Sequence, residues 1–95
     1  MIMTQKPRFN TGQICSTPGA LEAMMDALQS PVEFISRHIS GDWGEVCAED
    51  QQANEEAVDA NLRLLSAYRT KKEVRLWVIT ESDRSLTTIL LPEEY

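Results

Sequence analysis

Alternating apolar and polar side chains mark the last third of the chain as β-structure. The segment VRLWVIT at 74–80 is rich in β-branched and aromatic residues, and its side chains would fall alternately on two faces of a strand. The polar, turn-forming loop Glu81–Ser85 leads into a second strand, Leu86–Leu91. Pro92 ends that strand because proline has no N–H to give to a ladder. Since a lone hairpin is marginal in water, we expect Leu64–Arg69 to add a third strand.

Capping residues and an apolar periodicity predict helices in the preceding part of the chain. Thr17 offers a hydroxyl at the N-cap, and Pro18 suits the first helical position, where its missing N–H costs nothing. The first helix is predicted to run to about Leu28. Four residues at the i, i+3, i+4, i+7 spacing are expected to form its buried face: Leu21, Met24, Met25 and Leu28.

A second helix is predicted over 31–40. Ser30 can cap it, proline again occupies the first position, and Glu33 is placed to complete a capping box. Helical character is then expected to resume with Asp42 as a cap and to continue to about Asn61. The alternative is a separate helix that begins at Gln51, with Asp50 as its cap.

The order of helices first and strands last predicts an α+β fold. In it, the N-terminal helices pack on one face of a C-terminal antiparallel sheet of three strands, with four strands as the alternative. Residues 1–95 are expected to form a single domain, with an extended arm at 1–13, a helical part at 17–61 and an antiparallel meander at 64–91. A chain of this length buries roughly 60–65% of its unfolded surface, which is enough for a modest core.

Composition excludes several classes of function. Nine basic and fifteen acidic residues give a formal net charge of −6. This charge disfavours direct nucleic-acid binding through phosphate contacts. No apolar run approaches the ~20 residues of a membrane span, and the N-terminus lacks a signal-peptide core. Cys15 and Cys47 are expected to be free thiols in a reducing cytoplasm.

No cofactor or metal site is predicted. The two cysteines and the single histidine, His38, do not match a zinc-ligand spacing. The chain contains neither a phosphate-binding loop nor a dinucleotide-binding glycine motif.

One enzymatic hypothesis uses His38 as a general acid or base. Arg69, Arg75 and Arg84 come from the predicted strands or their loop and could stabilise the phosphate of a ribonuclease transition state. The alternative is a structural histidine with three surface arginines, and the negative net charge favours that alternative.

The segment 45–62 contains no lysine or arginine. If it forms one continuous helix, four carboxylates project from one face: Glu45, Glu49, Glu56 and Asp59. This face is either simply solvated or a docking surface for a basic partner, including a partner that normally grips DNA. Trp43, which lies close to two glycines, is either a structural anchor or a contact hot spot.

Several of these stretches resemble a family of short bacterial proteins found on plasmids and integrating elements. The stretches that carry the resemblance are RFNTGQICSTPGALEA at 8–23, RHISGDWGEV at 37–46, LLSAYR at 64–69 and VITESDRSLTTILLPEEY at 78–95. The resemblance implies a cytoplasmic accessory protein of a mobile element, and it brings no catalytic residue. The family's occasional label of restriction–modification subunit is not supported, because the chain has no methyltransferase motif and is too short for such a domain. In architecture alone, the chain is also similar to the RelE, barnase and colicin ribonucleases, and architecture does not fix function.

The sequence therefore favours a non-enzymatic protein-interaction module. Its protein partner would bind the acidic face, Trp43 or the exposed side or edge of the sheet, and self-association through that edge is a related hypothesis. A ribonuclease built on His38 and an acidic DNA mimic that inhibits a host defence enzyme are the alternatives.

Overall fold

The computed structural model describes residues 6–95, so the first five residues of the predicted arm lie outside the described part. Three helices and four strands follow one another: β1 Gln13–Ser16, α1 Pro18–Asp26, α2 Pro31–Ile39, α3 Ala48–Ala60, β2 Leu64–Arg69, β3 Arg75–Thr80 and β4 Leu86–Leu90, with a final 3₁₀ turn at Pro92–Glu94. The predicted α+β class is confirmed.

The four strands form one sheet in the order β1-β4-β3-β2. The last three strands make the predicted antiparallel meander, in which Leu64 lies opposite Thr80. The fourth strand, β1, was predicted only as an alternative and without a location. It runs parallel to β4, with Ile14 opposite Thr87, so the sheet is mixed and not antiparallel throughout. A four-residue segment with mostly exposed side chains has no periodicity to read, and only the edge of β4 makes it a strand.

The main core lies between the first two helices and one face of the sheet. Its buried members are Ala20 and Met24 from α1, Phe34 and Ile35 from α2, and Tyr68, Leu76, Val78 and Ile89 from the sheet. A second, smaller cluster joins the N-terminal arm and α3 to β2. It contains Trp43, Ala57 and Leu64, with Phe9, Val46 and Val58 packed against them.

The predicted buried face of α1 is only partly correct. Met24 is fully buried, but Leu21, Met25 and Leu28 are 41%, 65% and 92% exposed. The helix ends at Asp26, and Leu28 has a left-handed backbone with φ of 57°, so it leaves the helical stripe. The small side chain of Ala20 is buried instead, which lets the helix approach the sheet closely.

The predicted helix caps have different outcomes. Thr17 caps α1 as predicted, because its hydroxyl accepts a 3.2 Å hydrogen bond from the Ala20 N–H. Ser30 precedes α2 but makes no side-chain cap bond, so the predicted capping box is wrong. The carboxylate of Glu33 accepts a bond from the Gln29 side chain instead.

The third helix begins at Ala48 and not near Asp42. The segment 43–45 runs along the outer edge of β2, where the Ala67 N–H donates to the Trp43 carbonyl at 3.0 Å and the Glu45 N–H donates to the Ala67 carbonyl at 2.7 Å. Gly44 permits this approach, since it has φ of +75° and a Cβ there would lie 2.0 Å from the Ala67 carbonyl oxygen.

Asn54 covers the next position along the same edge. Its side-chain amide donates to the Leu65 carbonyl at 2.8 Å, and its side-chain oxygen accepts from the Leu65 N–H at 3.1 Å. The backbone groups of β2 at Leu65 and Ala67 are therefore satisfied within the chain, and this edge of the sheet is closed to further strands.

Candidate functional site

His38 projects from the last turn of α2 into the core and has no exposed surface. Its Nδ1 lies 2.6 Å from the Ser66 hydroxyl, and its Nε2 lies 2.9 Å from the Thr80 hydroxyl. The chain of hydrogen bonds continues from Thr80 to Thr87 at 2.7 Å and from Thr87 to the Thr11 carbonyl at 2.8 Å.

The carbonyl of Thr11 fixes the direction of every bond in this network. Because a carbonyl can only accept, the single hydroxyl proton of Thr87 is donated to it, and Thr80 must then donate to Thr87. Thr80 can therefore only accept from His38, which makes His38 the tautomer with its proton on Nε2. Nδ1 is left as an acceptor for the Ser66 hydroxyl.

Aromatic rings and burial keep His38 neutral. Phe9 and Trp43 pack against its ring edge-on, with centroid distances of 5.1 Å and 5.8 Å. Burial, assisted by the positive charge of Arg84, lowers the pKa of His38 to about 4. A neutral imidazole whose two nitrogens already have partners is the usual state of a structural histidine.

Two of the three arginines of the ribonuclease hypothesis, Arg69 and Arg84, are engaged in other contacts. Arg69 lies on the surface and forms ion pairs of 2.9 Å with both Glu45 and Glu73. Arg75 is its exposed cross-strand neighbour.

Arg84 holds the C-terminal end of α3. Its guanidinium donates to the carbonyls of Ala57 and Leu62 at 2.8 Å and 2.7 Å, which complements the carbonyl end of the helix. His38 therefore has no surface that a substrate could contact, and the guanidinium of Arg84 is already bound to backbone carbonyls.

Trp43 takes part in a cluster that joins the N-terminal arm to α3. The Glu55 carboxylate accepts two hydrogen bonds from Arg8, at 2.8 Å and 3.0 Å, and one from the Trp43 indole N–H at 2.9 Å. The bonds from Arg8 and then Trp43 lower the pKa of Glu55 to about 2. Trp43 is only 4% exposed, so it is an anchor and not an accessible contact. Sequence reasoning missed Arg8 and Glu55, since 47 residues separate them and no local pattern links them.

The predicted acidic residues are divided by the true start of α3. Glu45 lies before the helix and is paired with Arg69. Glu49, Glu56 and Asp59 remain on the solvent side of α3, and we call these three residues the acidic face. Among the ion pairs formed within 6–95, none involves a residue of the acidic face.

A shallow cavity of about 220 Å³ lies beside α3, lined by Asp50, Asn54, Arg63 and Leu65 among others. It is smaller than the ~300 Å³ at which small-molecule pockets typically begin. An open groove of about 550 Å³ lies along α1, lined by Pro18, Leu21, Glu22, Met25 and Asp26. Within the described chain, no group of three or more His, Cys, Asp or Glu side chains is placed to hold a metal ion. Cys15 and Cys47 are both exposed free thiols. No helix in residues 6–95 has the length and apolar character needed to cross a membrane.

No protein-family model matches this chain, and neither a curated protein nor a solved structure matches it. The resemblance to plasmid and mobile-element proteins therefore stays a prediction from the sequence.

Proposed function

We propose that this chain is a non-enzymatic protein-interaction module that binds a basic protein partner through the acidic face of α3. The observation that carries the proposal is the set of three exposed carboxylates, Glu49, Glu56 and Asp59, without an ion pair inside the described chain. Other surface carboxylates, such as Glu45 and Asp42, have arginine partners within the fold.

The position of these charges on the helix supports a role outside the folded chain. Glu56 and Asp59 are three residues apart and repel each other on one side of the helix. This repulsion costs roughly 0.2–0.5 kcal/mol, and a cationic partner would remove it.

The alignment of the face suits an elongated basic partner. Glu49 and Glu56 are seven residues apart, which places them almost in line and about 10 Å apart along the helix. A basic helix or strand laid along α3 would meet both carboxylates.

The narrower form of the proposal is an acidic mimic of DNA, in which the partner is a DNA-gripping protein such as a host defence enzyme. The accessory role in a mobile element and the cytoplasmic location rest on the sequence resemblance and belong to the same proposal. The proposed function also includes self-association of the chain through a sheet edge.

Charge reversal tests the acidic face. A partner captured with the purified chain is titrated against wild-type protein, against the double variant Glu49→Lys, Glu56→Lys, and against the control Glu22→Lys, Glu93→Lys. Both double variants change the net charge equally, but the control residues lie on α1 and in the C-terminal turn. We expect the face variant to lose at least ~10-fold in affinity, equivalent to about 1.4 kcal/mol, and the control to bind normally at matched salt.

Equal affinities for the two double variants would contradict the acidic face as the contact. Duplex DNA added as a competitor separates the two forms of the proposal. Displacement of the partner supports the DNA mimic, and its absence leaves an interaction module of the general kind.

A further inference from the structure

Within residues 6–95, the outer edge of β1 carries backbone groups without hydrogen-bond partners. The Gln13 N–H donates to the Ser85 carbonyl at 3.0 Å, and the Thr17 N–H donates to the Ile89 carbonyl at 2.9 Å. In a parallel ladder alternate residues face the neighbouring strand, so Ile14 and Ser16 direct their N–H and C=O groups away from β4. Among the hydrogen bonds of the described residues, none involves these four groups.

The two edges of the sheet are treated differently. Asn54 and the segment 43–45 close the β2 edge, but in the described part of the chain, residues 6–95, no comparable segment covers Gln13–Ser16. The β1 strand also contains no charged residue and no proline, which are the devices that usually prevent edge-to-edge pairing.

We propose that β1 pairs antiparallel with β1 of a second copy of this chain, so that two four-stranded sheets join around a two-fold axis. This inference deepens the self-association part of the proposed function and is independent of the acidic face. In an antiparallel pair of identical edges each strand uses the same residues, so two copies satisfy the contact and no further copy can add to it. A parallel contact would not be satisfied in this way by two copies.

Local geometry selects a single register, in which the axis passes beside Cys15. Ile14 of each copy then lies opposite Ser16 of the other, and the four outward groups on each side can form four hydrogen bonds. An axis beside Ile14 would require Gly12, which has φ of +63° and a carbonyl that already accepts from the Thr11 hydroxyl. An axis beside Ser16 would place Ile14 opposite Pro18, which has no N–H to donate.

Charge also identifies a second copy as the occupant. A chain with a net charge of −6 repels itself over most of its surface. In the register centred on Cys15, Ile14 lies opposite Ser16 and Gln13 lies opposite Thr17, so the paired strands contain no carboxylate.

The side chain of Ile14 adds an apolar contribution to the contact. It is 46% exposed and lies beside a groove of about 240 Å³ lined by Phe9, Thr11, Ile35 and Ile39 among others. A strand added at this edge would cover part of it. Four-residue strands bury less than the ~1,200 Å² of a standard interface, so we expect a dimer with micromolar or weaker affinity.

The register has a chemical consequence for Cys15. It faces Cys15 of the other copy in a position without direct hydrogen bonds, where Cα atoms are about 4.5 Å apart. This separation falls inside the ~4.4–6.8 Å range of disulfides. With oxidised glutathione as oxidant, the two thiols would lose two protons and two electrons to form the disulfide, and the oxidant would become two molecules of reduced glutathione.

The two exposed cysteines provide a matched test. Cys47→Ser retains only Cys15, and Cys15→Ser retains only Cys47, so each variant has one exposed thiol. After incubation with oxidised glutathione at micromolar protein concentration, we expect a reducible dimer on a denaturing gel for Cys47→Ser and at least ~10-fold less for Cys15→Ser. Equal cross-linking of both variants, or none with Cys15, would overturn the proposed register.

Sedimentation equilibrium in reductant tests the dimer without the disulfide. We expect Ile14→Lys to weaken dimerisation at least ~10-fold, and the control Leu62→Lys, which replaces another exposed aliphatic residue, to leave it unchanged. A wild-type chain that stays monomeric up to about 1 mM would refute the dimer. The charge-reversed Glu49→Lys, Glu56→Lys protein should still dimerise, so a failure of the acidic face and a failure of the β1 contact give different results.

Discussion

The Nδ1 atom of His38 lies 2.6 Å from the hydroxyl of Ser66, deep in the core between α2 and β2. This contact begins a chain of buried hydrogen bonds that ends at the carbonyl of Thr11 in the N-terminal arm. Within residues 6–95, no buried side-chain nitrogen or oxygen is left without a partner. A fully satisfied polar network of this kind fixes the relative positions of the arm, α2 and the sheet.

The first prediction concerns the pH dependence of folding. The pKa of His38 is about 4 in the fold and near its ordinary 6.5 in the unfolded chain, so the unfolded state binds a proton first as pH falls. The stabilising effect is complete above pH 6.5 and is lost progressively down to about pH 4, a total of about 3 kcal/mol. Urea titrations between pH 7.5 and 4 should show this decline.

His38→Gln is the control for the pH prediction. Glutamine does not titrate, so the decline between pH 6.5 and 5 should largely disappear. Glu55 contributes little to the decline in this pH range. Its pKa falls from the ordinary 4.5 to about 2 in the fold, so its contribution to stability is lost mainly below pH 4.5. An equally steep decline in the variant would show that another group is responsible.

The second prediction concerns the stability contributed by the network itself. His38→Ala removes a fully buried ring and leaves the hydroxyls of Ser66 and Thr80 without their partner. We expect a loss of about 2–4 kcal/mol in the free energy of unfolding at pH 7, measured by urea denaturation. Ser66→Ala leaves the ring in place and should cost less, about 1–2 kcal/mol. A loss below 0.5 kcal/mol for His38→Ala, within the ~0.5 kcal/mol range of surface substitutions, would be incompatible with this account.

The third prediction compares two adjacent glutamates of α3. Glu55→Gln weakens the double hydrogen bond from Arg8 and the bond from Trp43, and we expect it to cost about 1 kcal/mol. Glu56→Gln changes only a surface contact with Gln52 and should stay within about 0.5 kcal/mol of wild type. Tryptophan fluorescence during thermal unfolding distinguishes them, and indistinguishable variants would mean that the Arg8–Glu55 pair contributes nothing measurable.

The fourth prediction concerns the covered sheet edge. Asn54→Ala removes the side chain that satisfies both backbone groups of Leu65, which we expect to lower stability by about 1–3 kcal/mol. The exposed edge should also increase aggregation on heating, seen as light scattering. Gln52→Ala on the solvent side of the same helix is the control, and equal scattering by the two variants would argue against edge protection by Asn54.

The meander could be read from the sequence because its determinants are local. Alternation in Arg75–Thr80, the turn residues after it and Pro92 each act within a few positions. Strand β1 could not be read in this way, since its only reason to be extended is the edge of β4, more than 70 residues further along. The start of α3 was predicted wrongly for a similar reason. Gly44 forms a β-bridge with Ala67 of β2 and is not part of a helix.

The candidate functional residues show the same difference between local determinants and contacts between distant residues. The carboxylates Glu49, Glu56 and Asp59 could be placed on one face because helical spacing alone sets their direction. The sequence by itself determined the α+β class, the meander and an acidic helix, since periodicity and capping depend on residues close together in the chain. Only the tertiary structure decided that His38 is buried and neutral, and that residues 6–95 close one sheet edge and leave the other uncovered, because these outcomes depend on packing between residues far apart in the chain.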